Sequence, residues 1–538
     1  MLCFISACSG QTVQDQDPEP AAQPYEQTTG ETETVSETSD AEMISEYMHS
    51  LTLQKSYKII GNHNPVMTQR FGADPYALVY DGRVYLYMTG DDVMLNADGT
   101  PRENDYSNIW TISVISSADL VNWTDHGMIY AASSSGQASW GNNSWAPAAA
   151  WKMVDGKPKF FLYFANNGNG IAVLTSDSPT GPFTDPLGGP LISRATPYCS
   201  DVTWLFDPAI LMDEDGSAYI YFGGGIPSPD MADNPGTARV ARLGDDMISL
   251  DTDPVTIANV PYLFEDSGIN RIGDTYYYSY CSNFNVTSEA QSRLGFGGGE
   301  IVTMTSDSPM GPFALSGSIL RNPGAYFGTG GNNHHCIFEF EGTWYITYHA
   351  RLLEQAMDLD GGYRSTNIDV LLFDENGIPA SSLGTQKGAD QVGTFDPYAE
   401  VPAATFGNMA GLSTVQYGET AEKYGSGEMI VTDVADGSWI CIYGADFGEA
   451  GPSEFSIEVR RIPDEADENA INAIRIVPDK MFGTDPVLDI SLSEIMNSDA
   501  GSEFVRITVP VETCITGVHD IYMIFAGEGY EIRSWSFS

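Results

Sequence analysis

Basic residues are what this chain has least of for its size. Its 538 residues include 24 Lys and Arg against 73 Asp and Glu, which gives a formal net charge of −49 at pH 7. Such a charge repels polyanions, which argues against nucleic acid, anionic lipid surfaces and acidic polysaccharides as partners. Long apolar runs are missing too, so no stretch is suited to span a bilayer. The composition therefore favours a neutral ligand.

Cysteine and helix-like periodicity are also scarce. The cysteines are odd in number and follow no framework spacing, so we expect mostly buried thiols and no defined disulfide set. They are Cys3, Cys8, Cys199, Cys281, Cys336, Cys441 and Cys514. Apolar residues seldom recur at helical intervals, which favours an all-β chain.

One pattern repeats five times between Asp74 and Asp369. Each copy has an apolar strand, a tight turn such as Asp-Gly or Gly-Asp, an aromatic strand and a further stretch of strand, and this is a strong hairpin signal. The copies open in 71–90, 143–166, 204–224, 262–282 and 332–350. Short strands in repeats of this length are more typical of propeller blades than of a sandwich. Residues 55–392 are therefore predicted to form a five-bladed β-propeller.

Three copies open on an isolated carboxyl group: Asp74, Asp207 and Glu265. Because the innermost strand of every blade lies at a common axis, these acids should converge on one central mouth. Asp-Pro at 74–75 and 207–208 could instead simply start a strand, with Asp satisfying turn amides and Pro fixing φ. Acids are costly to bury without partners, so three of them at one phase of the repeat favour a catalytic site.

Short motifs stand at or near the start of each copy. They are the ADP of copy one, the WAP at 145–147, the FDPAI of copy three, the FE opening of copy four and the NNHH and WYITYH of copy five. Together they resemble glycoside hydrolase family 43 over about residues 60–385. The resemblance implies inverting hydrolysis of a glycosidic bond by two carboxyl groups about 6.5–9.5 Å apart. It implies Asp74 as general base, Glu265 as general acid, and Asp207 as the group that orients Glu265 and raises its pKa.

The same resemblance implies substrate-binding roles for Trp145, His334 and Arg364. Adjacent strand residues point to opposite faces, so only one of His334 and His335 can face the axis, and the resemblance selects His334, near a hydrated calcium or sodium ion. A lone imidazole cannot hold zinc, so any ion would be water-rich, and the chemistry needs no cofactor. A core His, a surface Arg and a core Trp are the alternatives at these positions.

The expected activity is that of an inverting exo-glycosidase. It would remove α-L-arabinofuranosyl or β-D-xylosyl units from plant hemicellulose, such as arabinoxylan, xylan or arabinan, and the partner is therefore a neutral plant polysaccharide or oligosaccharide. An endo-arabinanase with an open groove is one alternative, and a non-catalytic surface glycan-binding protein is another. Which sugar is removed depends on the loops that build the pocket rim.

The N-terminal part indicates export. Ile5-Ser6-Ala7-Cys8 resembles a bacterial lipoprotein cleavage box, but no Lys or Arg precedes it and the apolar stretch is short. Either the signal is truncated or the match is chance. Residues 1–50 are expected to form this signal and a disordered acidic linker, because their composition cannot bury a core. We therefore expect an extracellular or cell-surface bacterial lipoprotein, a monomer tethered through lipidated Cys8.

A second domain is expected over residues 400–538. Short strands resume there at the spacing of a β-sandwich, and DGSWICI, TGVHDIYMIF and SWSF resemble carbohydrate-binding module family 6 of jelly-roll fold. Trp439 and Trp535 lie within predicted strands and are expected in the core. Tyr530 lies in the loop before Trp535 and is the better candidate for stacking on sugar. The domain should be dispensable for turnover of small substrates, provided that the propeller buries no face against it.

Overall fold

The structure is a computed structural model that describes residues 40–425, 427–462, 470–496 and 503–538. Within these ranges the chain forms a ring of five antiparallel sheets followed by a sandwich of two sheets. The expected all-β class and the five-bladed β-propeller are confirmed. The lipidation motif at 5–8 and most of the predicted linker lie outside the described residues.

The five sheets of the ring follow one another along the chain, each starting at the axis and ending at the rim. Blade one contains β1 (Ala73–Tyr80), β2 (Arg83–Thr89), β3 (Thr111–Ser117) and β4 (Trp123–Tyr130). Blade two contains β5 (Trp145–Val154), β6 (Lys157–Ala165), β7 (Gly170–Ser176) and β8 (Ile192–Ser193). Blade three contains β9 (Ala209–Met212), β10 (Ala218–Phe222), β11 (Arg239–Arg242) and β12 (Val255–Thr256). Blade four contains β13 (Leu263–Ile272), β14 (Thr275–Ser282), β15 (Ile301–Ser306) and β16 (Ala314–Leu320). Blade five contains β17 (His335–Phe340), β18 (Thr343–Ala350) and β19 (Ser365–Val370).

Turn chemistry explains why the first two strands of a blade pair so tightly. In blade one the turn residues Asp81 and Gly82 have φ of 48° and 70°, and in blade two Asp155 and Gly156 have φ of 51° and 78°. Positive φ at both central residues suits the two-residue turns whose twist matches that of the flanking strands. The hairpins predicted from Asp-Gly are therefore present.

Chain from before the first blade completes the last one. The N–H of Val66 donates to the carbonyl of Thr366 (3.0 Å), and the N–H of Ile368 donates to Oδ1 of Asn64 (2.8 Å). Thr366 and Ile368 both belong to β19, which is the outermost strand of blade five. The segment around Asn64 thus occupies the place of a fourth strand and closes the ring.

The second unit is a β-sandwich. One sheet has the order β23 (Ser413–Tyr417), β24 (Glu428–Thr432), β31 (Tyr530–Phe537), β26 (Glu454–Arg461) and β29 (Val505–Pro510), and β20 (Val401–Pro402) pairs with β31. The other has the order β22 (Asn408–Ala410), β25 (Trp439–Asp446), β30 (Val518–Ala526), β27 (Ala473–Pro478) and β28 (Leu488–Ser491). The helices are α1 (Asp40–Ser50), α2 (Ser288–Leu294), α3 (Leu352–Ala356), α4 (Glu419–Tyr424) and α5 (Ser493–Met496), with 3-10 turns at Pro229–Met231 and Pro323–Ala325. No helix in the described ranges is long and apolar enough to cross a membrane.

The two units share a sheet and a buried polar contact. Strand β21 (Thr405–Phe406), which leads into the sandwich, pairs with β4 and becomes the fifth strand of blade one. Nearby, buried Asn122 donates from Nδ2 to the carbonyl of Tyr443 (2.8 Å) and accepts from its N–H (2.8 Å). The propeller therefore buries a face against the sandwich. Under this condition we do not expect the second domain to be dispensable for turnover of small substrates.

Residues 40–50 differ from the expectation of a disordered linker. They form α1, and its side chains Ile44 and Met48 are buried in a cluster that includes Trp439 of the sandwich. Two apolar residues four apart lie on one face of a helix, so even a polar segment can dock through them. The average composition of the N-terminal part conceals this short amphipathic stretch.

Tyr530 is not an exposed platform for sugar. Its side chain is fully buried, and its hydroxyl donates to the carbonyl of Ala526 (3.0 Å). The loop before it is only a short glycine-containing turn, so Tyr530 is the first residue of β31 and faces the core. The expected core positions of Trp439 and Trp535 are confirmed, because both are buried within strands. Cys199, Cys281, Cys336 and Cys441 are buried free thiols, whereas the free thiol Cys514 is exposed.

Removing the Asn122 side chain should loosen the contact between the two units. We expect Asn122→Ala to lower the free energy of unfolding by about 1–3 kcal/mol, because it leaves the buried N–H of Tyr443 without its acceptor. Urea denaturation followed by fluorescence measures this. Asn142→Ala, at an exposed asparagine, should change the value by less than about 0.5 kcal/mol. Equal stability of the two variants would contradict the structural role of the contact.

Candidate active site

A cavity of about 570 Å³ lies at the mouth of the propeller where the innermost strands begin. Asp74, Asp207, Glu265, Trp145, His334 and Arg364, the six side chains singled out in the sequence, all line it. They are joined there by Tyr106, Ile109, Ala146, Gly168, Asn169, Arg194, Thr203, Trp204, Phe206 and Asn332. Residues from all five blades thus meet at one place.

The same backbone kink recurs near the start of the innermost strand in four blades. Asp74, Ala146, Asp207 and Asp266 have φ of 47°, 42°, 50° and 69°, and the strand register shifts beside three of them, in β1, β5 and β13. Non-glycine residues seldom adopt positive φ, so the kink is a built feature of each blade. The blade-four residue at this position is Asp266. Glu265 stands one residue earlier, so the expectation that Glu265 shares the phase of Asp74 and Asp207 is wrong.

Asp74 is surrounded by groups that favour its charged form. Its Oδ1 lies 3.0 Å from NH1 of Arg364 and 3.0 Å from Nδ1 of His349, and its Oδ2 accepts from the hydroxyl of Thr89 (2.7 Å). Burial by itself would raise the pKa of Asp74, but Arg364 and then His334 and His349 outweigh it and hold that pKa well below its usual range. Asp74 is therefore a carboxylate at neutral pH.

Arg364 is itself held in place by blade one. Asp91 accepts from its backbone N–H (2.8 Å), from Nε (3.2 Å) and from NH2 (3.0 Å), and Asn104 in turn donates to Asp91 (2.8 Å). The guanidinium also stands over the ring of Tyr106, 4.9 Å from its centre. The remaining NH1 is thereby aimed at Asp74.

Glu265 and Asp207 have the opposite electrostatic surroundings. Both are buried, and Oε1 of Glu265 has no hydrogen-bond partner. Burial, followed by the charges of Asp207 and Asp74, raises the pKa of Glu265 well above its usual range. Burial also raises the pKa of Asp207, although the N–H of Asp266 donates to its Oδ2 (2.8 Å) and opposes the rise. The surroundings thus favour the charged form of Asp74 and the protonated form of Glu265.

His334 faces the cavity, whereas His335 points away from it. Nε2 of His334 lies 3.1 Å from Oδ1 of Asp266, and its Nδ1 lies 3.7 Å from Asp74 and 4.0 Å from Asp207. Burial lowers the pKa of His334 despite these carboxylates, so the ring is neutral. A cation bound directly to Nε2 would have to displace Asp266. In the part of the chain that the structure describes, no group of three or more His, Cys, Asp or Glu side chains could hold a metal ion.

Aromatic side chains form one wall of the cavity. The ring of Trp204 packs against Phe206 (5.2 Å between centres) and against Phe264 (5.3 Å), which in turn meets the half-exposed Phe284 (5.7 Å). Trp145, at the start of blade two, also lines the cavity. Its Nε1 donates to the carbonyl of Tyr106 (3.1 Å).

Several site residues escaped the sequence analysis. Trp204 could have been found, because it precedes Asp207 by three residues in the WLFDP motif. His349 could also have been found, because it ends the WYITYH motif, whereas no local pattern signals the contact of Asp91 with Arg364 or the role of Asp266.

Replacing Arg364 should change the ionisation of Asp74. In Arg364→Met the pKa of Asp74 should rise, because burial then acts against only the weaker support of the histidines. Titration of the carboxyl carbon by NMR measures this directly. Arg351→Met is the control, since Arg351 lies near Glu354 rather than Asp74. An unchanged Asp74 titration in Arg364→Met would show that the guanidinium does not govern its charge.

Comparison with known proteins agrees with this geometry. The profile of Glycosyl hydrolases family 43 matches residues 62–379. An arabinoxylan arabinofuranohydrolase of Paenibacillus polymyxa is 45% identical over 500 residues, which cover 89% of this chain and 75% of that protein. One of Bacillus subtilis is 42% identical over 500 residues, covering 89% of this chain and 93% of that protein. The crystal structure of a family 43 arabinoxylan arabinofuranohydrolase from Bacillus subtilis in complex with cellotetraose superposes with a TM-score of 0.82 at 41% identity, covering 90% of this chain and 99% of that one. The chain is therefore a glycoside hydrolase and belongs to glycosyl hydrolase family 43.

Proposed function

We propose that this glycoside hydrolase removes α-L-arabinofuranosyl branches from arabinoxylan, with β-D-xylosyl units as a secondary substrate. The observation that carries the proposal is similarity along nearly the whole chain to two arabinoxylan arabinofuranohydrolases. The site supports it, because an axial pocket suits a single sugar unit. The aromatic wall from Phe206 to Phe284 runs outward from that pocket and offers apolar faces on which a polysaccharide main chain can lie.

The electrostatics assign different roles to the carboxyl groups. The raised pKa of Glu265 favours its protonated form, which can donate a proton to the leaving oxygen as general acid. Asp74 is ionised and can accept a proton from water as that water attacks the opposite face of the sugar. Asp207 contributes to the raised pKa of Glu265. Attack and departure on opposite faces invert the configuration of the sugar, and no step requires a cofactor.

The remaining side chains would bind the sugar and orient the acids. Arg364 keeps Asp74 charged, while His334, neutral and part of the cavity wall, can hydrogen-bond to sugar hydroxyls. Trp145 supplies an aromatic face. A hydrated calcium or sodium ion near His334 would have to be held through water, because Nε2 is already engaged by Asp266.

The setting of the enzyme is part of the same proposal. The acidic composition of the N-terminal part and the motif ending at Cys8 support an exported monomer, tethered by lipid if the signal is complete. The chain's strong negative charge suits a neutral plant polysaccharide. The sandwich resembles a carbohydrate-binding module, and binding of the polymer by it is proposed alongside its structural contact with blade one.

Product analysis tests the proposal. The enzyme should release arabinose from arabinoxylan without shortening the xylan backbone, and should cleave p-nitrophenyl α-L-arabinofuranoside faster than p-nitrophenyl β-D-xyloside. Proton NMR of the first product should show the anomer opposite to that of the substrate. Backbone fragments would indicate endo action, and a product of unchanged configuration would contradict the paired acid and base.

Variants of the two acids should lose activity in different ways. Glu265→Gln should lower kcat by about 10²–10⁴-fold on arabinoxylan oligosaccharides, and much less on p-nitrophenyl glycosides, whose leaving group needs no proton. Asp74→Asn should reduce turnover of both, because no other group activates the water. Glu300→Gln is the control, since Glu300 is buried but pairs with Arg321 outside the cavity. Equal losses of activity on both substrates for Glu265→Gln would contradict the assignment of Glu265 as the general acid.

A further inference from the structure

The position of Glu265 depends on its backbone rather than on contacts of its own carboxyl group. Oε1 is buried and makes no hydrogen bond. The strand that carries the residue is irregular on both sides of it, since the register of β13 against β14 shifts between Leu263 and Glu265 and again between Glu265 and Gly268. A side chain on an irregular stretch is placed accurately only if a neighbouring residue is anchored.

That neighbour is Asp266, which is fully buried and joins three blades. Its backbone N–H donates to Asp207 of the blade-three opening (2.8 Å). Its carboxylate accepts from the backbone N–H of His335 (3.1 Å) and from Nδ1 of the same residue (2.5 Å), both in blade five. Its other oxygen lies 3.1 Å from Nε2 of His334. The peptide that follows Glu265 is thus anchored from both sides.

The His335 ring is held as firmly as the carboxylate that it contacts. Because a carboxylate oxygen only accepts, Nδ1 carries the proton of its contact with Asp266, and Nε2 lies within hydrogen-bond distance of the Ser279 hydroxyl (2.8 Å). The ring lies directly over Gly268, where an added Cβ would come within 3.0 Å of it. Ser279 and His335 are buried, so the row from Ser279 through His335 to Asp266 is shielded from solvent.

We propose that Asp266 is a positioning residue for the general acid: its bonds to blade five fix the left-handed turn that places Glu265 in the cavity, and its N–H fixes Asp207 beside it. This inference rests on the proposed role of Glu265. Asp266 does not line the cavity and has no need to touch the sugar. Its effect is on the step that uses the proton of Glu265 rather than on binding of substrate.

The substitution Asp266→Asn tests this with little change of shape. An amide keeps one accepting oxygen but turns a donor toward N–H groups that need acceptors, so the turn loses part of its anchor. We expect kcat to fall by about tenfold or more on arabinoxylan oligosaccharides, because a misplacement of the acid of about 1 Å costs up to about 10²-fold. On p-nitrophenyl α-L-arabinofuranoside the loss should stay below about threefold, with KM changed less than about twofold on both.

Two variants of His335 form a matched pair. In His335→Asn the amide nitrogen can occupy the place of Nδ1 and still donate to Asp266, so most of the activity on oligosaccharides should remain. His335→Ala removes that donor and should reproduce the dependence on the leaving group seen in Asp266→Asn. Thermal unfolding of each variant separates loss of the fold from loss of positioning.

The outcomes distinguish this inference from the proposed function. If Glu265→Gln discriminates between the two substrates but Asp266→Asn loses equally on both, the positioning role is overturned and the acid remains. If Glu265→Gln itself shows no discrimination, the acid assignment fails first. An Asp266→Asn variant that unfolds like wild type and keeps full activity on oligosaccharides also overturns the inference.

Discussion

Most of the chemistry of this protein depends on how few cations share the propeller axis with its buried carboxyl groups. Asp74, Asp207 and Glu265 are all buried there, and of these three Arg364 pairs directly with Asp74. Burial raises the pKa of Glu265 and of Asp207, whereas the guanidinium of Arg364 helps to hold the pKa of Asp74 well below its usual range. The guanidinium of Arg364 therefore favours the charged form of Asp74 over that of the other two acids, and Asp91 orients this guanidinium. The division into base and acid arises from this unequal sharing rather than from the choice of Asp or Glu.

The carboxyl groups also have to be held at fixed distances, and the backbone does this. A left-handed residue at the same place in four blades turns the start of the innermost strand toward the axis. Positive φ is unfavourable for residues with a side chain, so each kink must be supported by its surroundings. Thr89 supports the first, since its hydroxyl donates to Asp74 and accepts from the N–H of Ala146 (2.9 Å). Blade five supports the fourth through Asp266.

The sequence predicted the architecture well where local chemistry determines it. Asp-Gly turns and alternating apolar residues act over a few positions, so the five hairpins and the cavity-lining Asp74 and Asp207 could be anticipated. Asp266, rather than Glu265, is the blade-four residue equivalent to Asp74 and Asp207. This could not be anticipated, because the irregular part of β13 is visible only in the strand pairing. Asp91 joins the site through its contact with Arg364 across the ring, which no local pattern records. Composition predicted disorder for the segment that forms α1, and loop context predicted exposure for Tyr530. Both are instead buried against residues that are distant in sequence.

Strand β21, which the two units share, affects the order in which the blades can be completed during synthesis. Blade one is the first to leave the ribosome, yet its outermost partner, β21, comes from residues 405–406. Until that segment emerges, the edge of β4 has unpaired N–H and carbonyl groups that could pair with another chain. The blade that is made first is thus completed last. A nascent chain of this enzyme carries an open sheet edge through the whole synthesis of the other four blades, and that edge is covered only when the strand leading into the sandwich arrives.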